Sequence, residues 1–160
     1  MPTILSRCQL IRTRLFSADE IASNLADQMK ISEQRAHEVA WLADGNMSEA
    51  YRLLQHKEED QELSVIDWLR CAYKAHPVEV LQWSDAFSKI SREEQKNFFR
   101  YTLYFLQQAL MAQYRGVDYV LLPAAENETL PKIIPLLPFQ VVEKIAERLN
   151  EDVAALEQNA

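Results

Sequence analysis

Glycine is nearly absent from this 160-residue chain, occurring only at Gly45 and Gly116. Loops that cradle phosphate need several glycines, because the backbone there must approach an anion closely. There is no Gly-Lys pair, so neither a GxxxxGK[ST] loop nor a GxGxxG turn can be written. The chain is therefore not expected to bind a nucleotide by itself. Cysteine is equally sparse. Cys8 and Cys71 lie far apart among three scattered histidines, His37, His56 and His76. No CxxC pair, HExxH or zinc quartet can be assembled from them, and no metal site is expected. Long apolar runs are missing too. The densest, Phe98 to Met111, is broken by Arg100 and by Gln107-Gln108 and falls short of the roughly 18–20 apolar residues of a membrane span. The first residues show no charged stretch followed by an apolar one, so no signal peptide is expected. These absences predict a soluble, cytoplasmic, reduced protein with no membrane partner.

What the chain does have is apolar content and acidity. Hydrophobic residues make up 48% of it, enough to bury a core in one compact domain or two small ones. The net charge of −7 is unevenly spread. Residues 1–16 carry Arg7, Arg12 and Arg14 and no acid, whereas residues 17–64 carry 11 acids against 4 bases and residues 65–160 carry 13 against 10. An acidic body repels a phosphate backbone, which argues against nonspecific nucleic-acid binding by the chain alone.

Helical signals dominate. Ser17-Ala18-Asp19-Glu20 is a capping box, followed by Ile21, Leu25 and Met29 at helical spacing. Ser32 caps a second helix with Ala36, Val39, Ala40 and Ala43 on one side, and Gly45 is placed to end it in a left-handed conformation. Asn46-Met47-Ser48-Glu49 repeats the cap pattern ahead of Ala50, Leu53 and Leu54. The run 55–62 is polar throughout, so a domain boundary is expected near residue 60. Beyond it Val65, Ile66, Leu69, Ala72 and Tyr73 form one stripe. Pro77 then suits the first turn of a helix presenting Val80, Leu81, Ser84 and Phe87. Ser91-Arg92-Glu93-Glu94 opens a long pattern to about Tyr114, apolar on more than one face, as the central helix of a bundle requires. Residues 117–137 are irregular, with 117–122 open to either a short strand or a packed loop. Pro138 opens a last helix with Val142, Ile145, Leu149, Val153 and Leu156 in line. Before Ser17, the segment Gln9-Leu10-Ile11-Arg12-Thr13-Arg14-Leu15 is β-prone, yet the chain offers it no partner strand. The last stripe also stops with the chain. Both features suggest an excerpt from a longer protein.

The residues Leu5-Ser6-Arg7-Cys8-Gln9, the β-prone strand, the capped helix and Leu42-Ala43-Asp44-Gly45-Asn46-Met47-Ser48-Glu49-Ala50 resemble the second half of the motor domain of bacterial clamp-loader subunits. These are AAA+ proteins that serve DNA polymerase III. The likeness is strongest over residues 3–54, and the later helices are similar only in layout to the family's collar. Ser-Arg-Cys is a three-letter pattern whose specificity comes from the strand, capping box and Ala-Asp-Gly turn at the expected distances. The resemblance implies an all-α chain: the end of the AAA+ core with a short strand remnant over residues 1–16, a small three-helix lid over 17–60, and a helical-bundle collar over 61–160, truncated at its C-terminus. It implies that Arg7 is an arginine finger acting in trans on ATP-Mg held by a neighbouring subunit. A guanidinium is always charged and offers a planar fork of donors to a developing γ-phosphoryl charge. Ser6 and Cys8 are expected to be structural, as a turn hydroxyl and a small buried side chain.

One departure separates subunit classes. ATP-hydrolysing relatives place an arginine at the start of the third lid helix, where this chain has Ser48, followed by the acid Glu49. That favours the delta-prime class of non-motor subunits over the gamma/tau ATPase. The resemblance then implies gamma/tau and delta partners, met through the collar and Arg7, with primed DNA and the sliding clamp engaged indirectly. No cofactor is expected on this chain. Two alternatives stay open: a C-terminal piece of the gamma/tau ATPase, and a free-standing helical adaptor without any link to ATP. An independent enzyme is the weakest reading. Asp19-Glu20 lies in a helix cap rather than at the end of an apolar strand, Glu58-Glu59-Asp60 is a solvated run, and His37 and His56 lack a carboxylate–nucleophile arrangement. The aromatic group Phe98, Phe99, Tyr101, Tyr104 and Phe105 reads as core rather than as a base-stacking platform.

Overall fold

In the computed structural model, which describes residues 14–55 and 63–158, four serines and one asparagine set where helices begin. Ser17 Oγ accepts from the Glu20 backbone N–H while the Glu20 carboxylate accepts from the Ser17 N–H at 2.8 Å, closing a capping box ahead of α1 (Ala18–Met29). Ser32 caps α2 (Glu33–Leu42). Asn46 Oδ1 accepts from the Ser48 and Glu49 N–H groups at the start of α3 (Met47–Gln55). Ser64 caps α4 (Val65–Lys74), and Ser91 forms a second capping box with Glu94 for α6 (Arg92–Arg115). Each cap satisfies N–H groups that the first helical turn leaves without partners. Between them, α5 (Pro77–Lys89) begins on proline, whose missing N–H costs nothing at that position.

These helices pack around α6. Its Phe98, Tyr101, Thr102, Tyr104, Phe105, Leu106, Gln108, Ala109 and Ala112 are all buried, a set too wide for one stripe. A helix so covered must be central. On one side α1, α2 and α3 enclose Ile21, Leu25, Ala36, Val39 and Ala50, and Tyr51 Oη lies 2.9 Å from Gln28 Oε1. That three-helix unit meets α6 through α2, where the Trp41 and Tyr104 rings are 5.5 Å apart. On another side α4 and α5 bring Trp68, Trp83 and Phe87 against Phe98, with centroids 5.4–6.3 Å apart. The last helix, α8 (Phe139–Gln158), packs along α6 and buries Val142 and Leu149. The described residues are all-helical, with eight α-helices and no strand.

Several expectations change. The α4 stripe holds only for Val65 and Ile66, with Leu69 half-buried and Ala72 and Tyr73 exposed. In α5 the packed residues are Trp83 and Phe87, whereas Val80 and Leu81 face solvent. A short amphipathic helix leaves its facing angle loosely fixed by periodicity, and here the aromatic rings decide it. Residues 117–122 form a 3₁₀ turn (Val117–Tyr119) and extended backbone rather than a strand. The irregular stretch also hides α7 (Ala124–Ile133), which carries Pro131 inside and passes into a 3₁₀ turn (Ile134–Leu136). Pro131 sits in the last turn of α7, where it removes one backbone hydrogen bond without breaking the helix, which passes into the 3₁₀ turn only after Ile133. The expected strand up to Thr13, the residues of the proposed 55–62 boundary beyond Gln55, and the final two residues lie outside the described residues, while Arg14 and Leu15 at the end of that strand have no regular structure.

Candidate functional site

Arg7, Ser6 and Cys8 lie outside the described residues, so the site is built from the chain that follows them. After α2 ends at Leu42, Asp44 and Gly45 take consecutive left-handed conformations, φ 45° and 80°. The Asn46 N–H donates to Ala43 O at 2.9 Å and closes the turn into α3. Leu15 and Phe16 lie directly on this turn. The Phe16 N–H donates to Gly45 O at 3.1 Å, and a Cβ at position 45 would come 2.7 Å from Leu15 Cβ and 3.0 Å from Phe16 O. Gly45 is thus required twice, by its backbone angle and by the close approach of another segment. Arg14 clasps Glu20 with both terminal guanidinium nitrogens, at 2.7 and 2.5 Å. Those hydrogen bonds and the Ser17 N–H hold the Glu20 carboxyl down to about 2. Asp19-Glu20 therefore serves the cap and an ion pair, as the capping reading expects.

Beside the turn lies a groove of about 530 Å³. Leu15, Phe16, Trp41 and Gly45 line it together with Arg100 and Glu157. Arg100 Nη2 reaches Glu157 Oε1 at 3.0 Å, joining α6 to the end of α8 beside the groove. Nothing near position 100 in sequence foretells this pair, because its partner is 57 residues away.

Ser48 is exposed on the first turn of α3. Glu49, the acid that follows it, is bound by Arg52 at 2.8 and 2.5 Å. That pairing lowers its pKa, and Arg52 also contacts Glu93 of α6 at 2.8 Å. The charge of Glu49 is thus spent inside an α3–α6 network with Lys96. His37 is half-buried on α2, and His76 sits at the N-terminus of α5 without a side-chain cap bond; His56 lies outside the described residues. No group of three metal-capable side chains occurs among the described residues, and no helix there is long and apolar enough to cross a membrane.

A second polar cluster is internal. Tyr101 Oη donates to Glu126 Oε2 at 2.7 Å, and Tyr104 Oη donates to Leu121 O at 2.7 Å. Burial raises the Glu126 pKa, and the nearby Glu38 carboxylate adds to the rise. Glu38 itself is buried and paired with Arg35 at 2.6 Å. Phe98, Phe99, Tyr101, Tyr104 and Phe105 all belong to the packed interior or its margin, so none is laid out as an open stacking surface.

Comparison with protein-family models, with curated proteins and with solved structures finds no match to this chain.

Proposed function

We propose that this chain is the lid and collar part of a delta-prime-like clamp-loader subunit of bacterial DNA polymerase III, which helps place a sliding clamp on primed DNA. It holds no nucleotide of its own and lends Arg7 to ATP-Mg on a neighbouring gamma/tau subunit. The observation that carries this reading is the order Ser6-Arg7-Cys8, capped helix, Ala43-Asp44-Gly45 turn. The geometry supports it in two ways. The three capped helices α1–α3 pack as one unit beside the long bundle, as a lid next to a collar requires. Leu15 and Phe16, which come after that motif in the chain, are seated on the Gly45 turn, which gives the left-handed glycine a structural reason of its own.

The test is DNA-stimulated ATP hydrolysis by the loader reconstituted with the full-length subunit. Arg7→Ala is expected to lower turnover at the neighbouring site on the order of 10³-fold, the loss typical of an arginine finger, while leaving assembly intact. An unchanged rate with Arg7→Ala would sink the reading and return the chain to the class of helical adaptors.

A further inference from the structure

The groove beside the Gly45 turn lies where the three-helix unit meets the bundle. Its lining draws on α2 through Trp41, on α6 through Arg100 and Leu103, and on α8 through Val153 and Glu157, with Asp44 on the turn that leaves α2. A volume of about 530 Å³ is that of a small-molecule site, and such sites form at junctions between helices, with an apolar lining and a few polar groups. Trp41, Leu103 and Val153 are only half-buried, which leaves apolar surface for a ligand to cover.

Charge decides which ligand fits. Among the described residues the lining carries two carboxylates, Asp44 and Glu157, against one basic side chain, Arg100. Arg100 is already paired with Glu157 at 3.0 Å, whereas Asp44 is exposed and makes no ion pair among the described residues. The end of α2 adds to this sign. Its last turn holds no basic residue, and the carbonyls of a helix C-terminus carry partial negative charge that favours a cation. Trp41 shares a turn with Asp44, whose N–H donates to Trp41 O at 3.2 Å, and tryptophan is the side chain that attracts cations most strongly. An anion would compete with Glu157 for Arg100 and meet the repulsion of Asp44, whereas a cation meets an open carboxylate.

We propose that this groove is a binding site for a small organic cation, an amidinium, guanidinium or ammonium group on an apolar body: the body covers Leu103 and Val153, and the charged group lies against Trp41 and Asp44. Bound there, the ligand touches α2, α6 and α8 together and ties the three-helix unit to the bundle. No part of the site depends on Arg7.

The experiment is a nuclear magnetic resonance titration of the full chain with three probes of similar size and different charge: benzamidinium, benzamide and benzoate. Benzamidinium is expected to bind with a Kd on the order of 1 mM and about tenfold more tightly than the other two. The Trp41 indole signal and the Asp44 and Gly45 amide signals should move together, while the indoles of Trp68 and Trp83, which pack on Phe98 instead, stay in place. Asp44→Asn removes the charge, and asparagine accepts the left-handed φ of 45° found there as readily as aspartate does. It is expected to weaken benzamidinium about threefold, the scale of an exposed ion pair. Asp27→Asn, at an exposed acid of α1 outside the groove, should leave the affinity unchanged. Trp41→Leu is expected to weaken binding about threefold to fivefold; should it fail to fold, Asp44→Asn against Asp27→Asn decides the matter. Absence of a Trp41 shift up to about 10 mM benzamidinium overturns the site. Equal binding of the three probes overturns it because charge then plays no part. Equal weakening by Asp44→Asn and Asp27→Asn overturns it because the net charge of −7 then draws the cation without a site.

Discussion

Tyr101 of α6 donates its hydroxyl to Glu126 of α7 across 2.7 Å, in a place where burial pushes the Glu126 pKa upward and the Tyr101 pKa higher still. A carboxyl whose pKa is higher in the folded state is better tolerated protonated. Its unfavourable contribution is absent below the ordinary carboxylate range and develops as pH rises through that range. Glu126→Gln keeps an acceptor for Tyr101 but removes the ionisation. The variant is expected to gain thermal stability relative to the parent as pH is raised from about 4 to 7, with the two melting curves converging at the acid end. A gap independent of pH would show that ionisation of Glu126 carries no cost.

Two α6 side chains also stand in for a strand partner. Gln108 Oε1 accepts from the Leu121 N–H at 3.0 Å, and Tyr104 Oη donates to Leu121 O at 2.7 Å. Extended backbone here makes its ladder bonds to side chains of a helix. Gln108→Leu leaves the Leu121 N–H without that partner and is expected to cost about 1–3 kcal/mol in urea unfolding. Loss well under that range would mean solvent reaches the N–H.

Phe105 is fully buried at the centre of α6, whereas Leu81 on α5 is 71% exposed. Phe105→Ala should destabilise by about 3–5 kcal/mol and Leu81→Ala by no more than about 0.5 kcal/mol. Sequence periodicity treats both as core residues, so denaturant titrations of the pair separate periodicity from packing.

Ser91 and Glu94 satisfy each other's backbone N–H groups at the start of the central helix. Ser91→Ala is expected to cost about 1 kcal/mol, read as a lower midpoint in the same titration. Retention of the parent midpoint would show that solvent replaces the cap at no cost.

Much of this architecture is legible locally. Ser17, Ser32, Asn46 and Ser91 act as caps because a serine or asparagine oxygen reaches N–H groups only two or three residues ahead. Gly116 ends α6 because its N–H still reaches Ala112 O while its φ of 97° turns the chain away. Helix α7 was not legible, because Pro131 and its flanking prolines imitate a loop, whereas the helix runs through Pro131 to Ile133. The α5 facing was not legible either, since Trp83 and Phe87 stack on each other with centroids 5.0 Å apart and turn Leu81 outward. Of the candidate site, the sequence offered Arg7 and the Ala-Asp-Gly turn; it offered neither the Leu15–Gly45 approach nor the Arg100–Glu157 pair.

The sequence by itself determined the helical character of residues 17–54, 65–114 and 138–158, the capped starts of α1, α2, α3 and α6, and the left-handed glycine before α3. Caps, periodicity and steric limits on φ act within a few residues, so they can be read without a fold. Only the tertiary structure decided that Gly45 bears another segment, that Glu49 is neutralised by Arg52, and that Glu126 is buried beside Tyr101. Those facts depend on groups brought together by packing around α6, and distance along the chain carries no record of them.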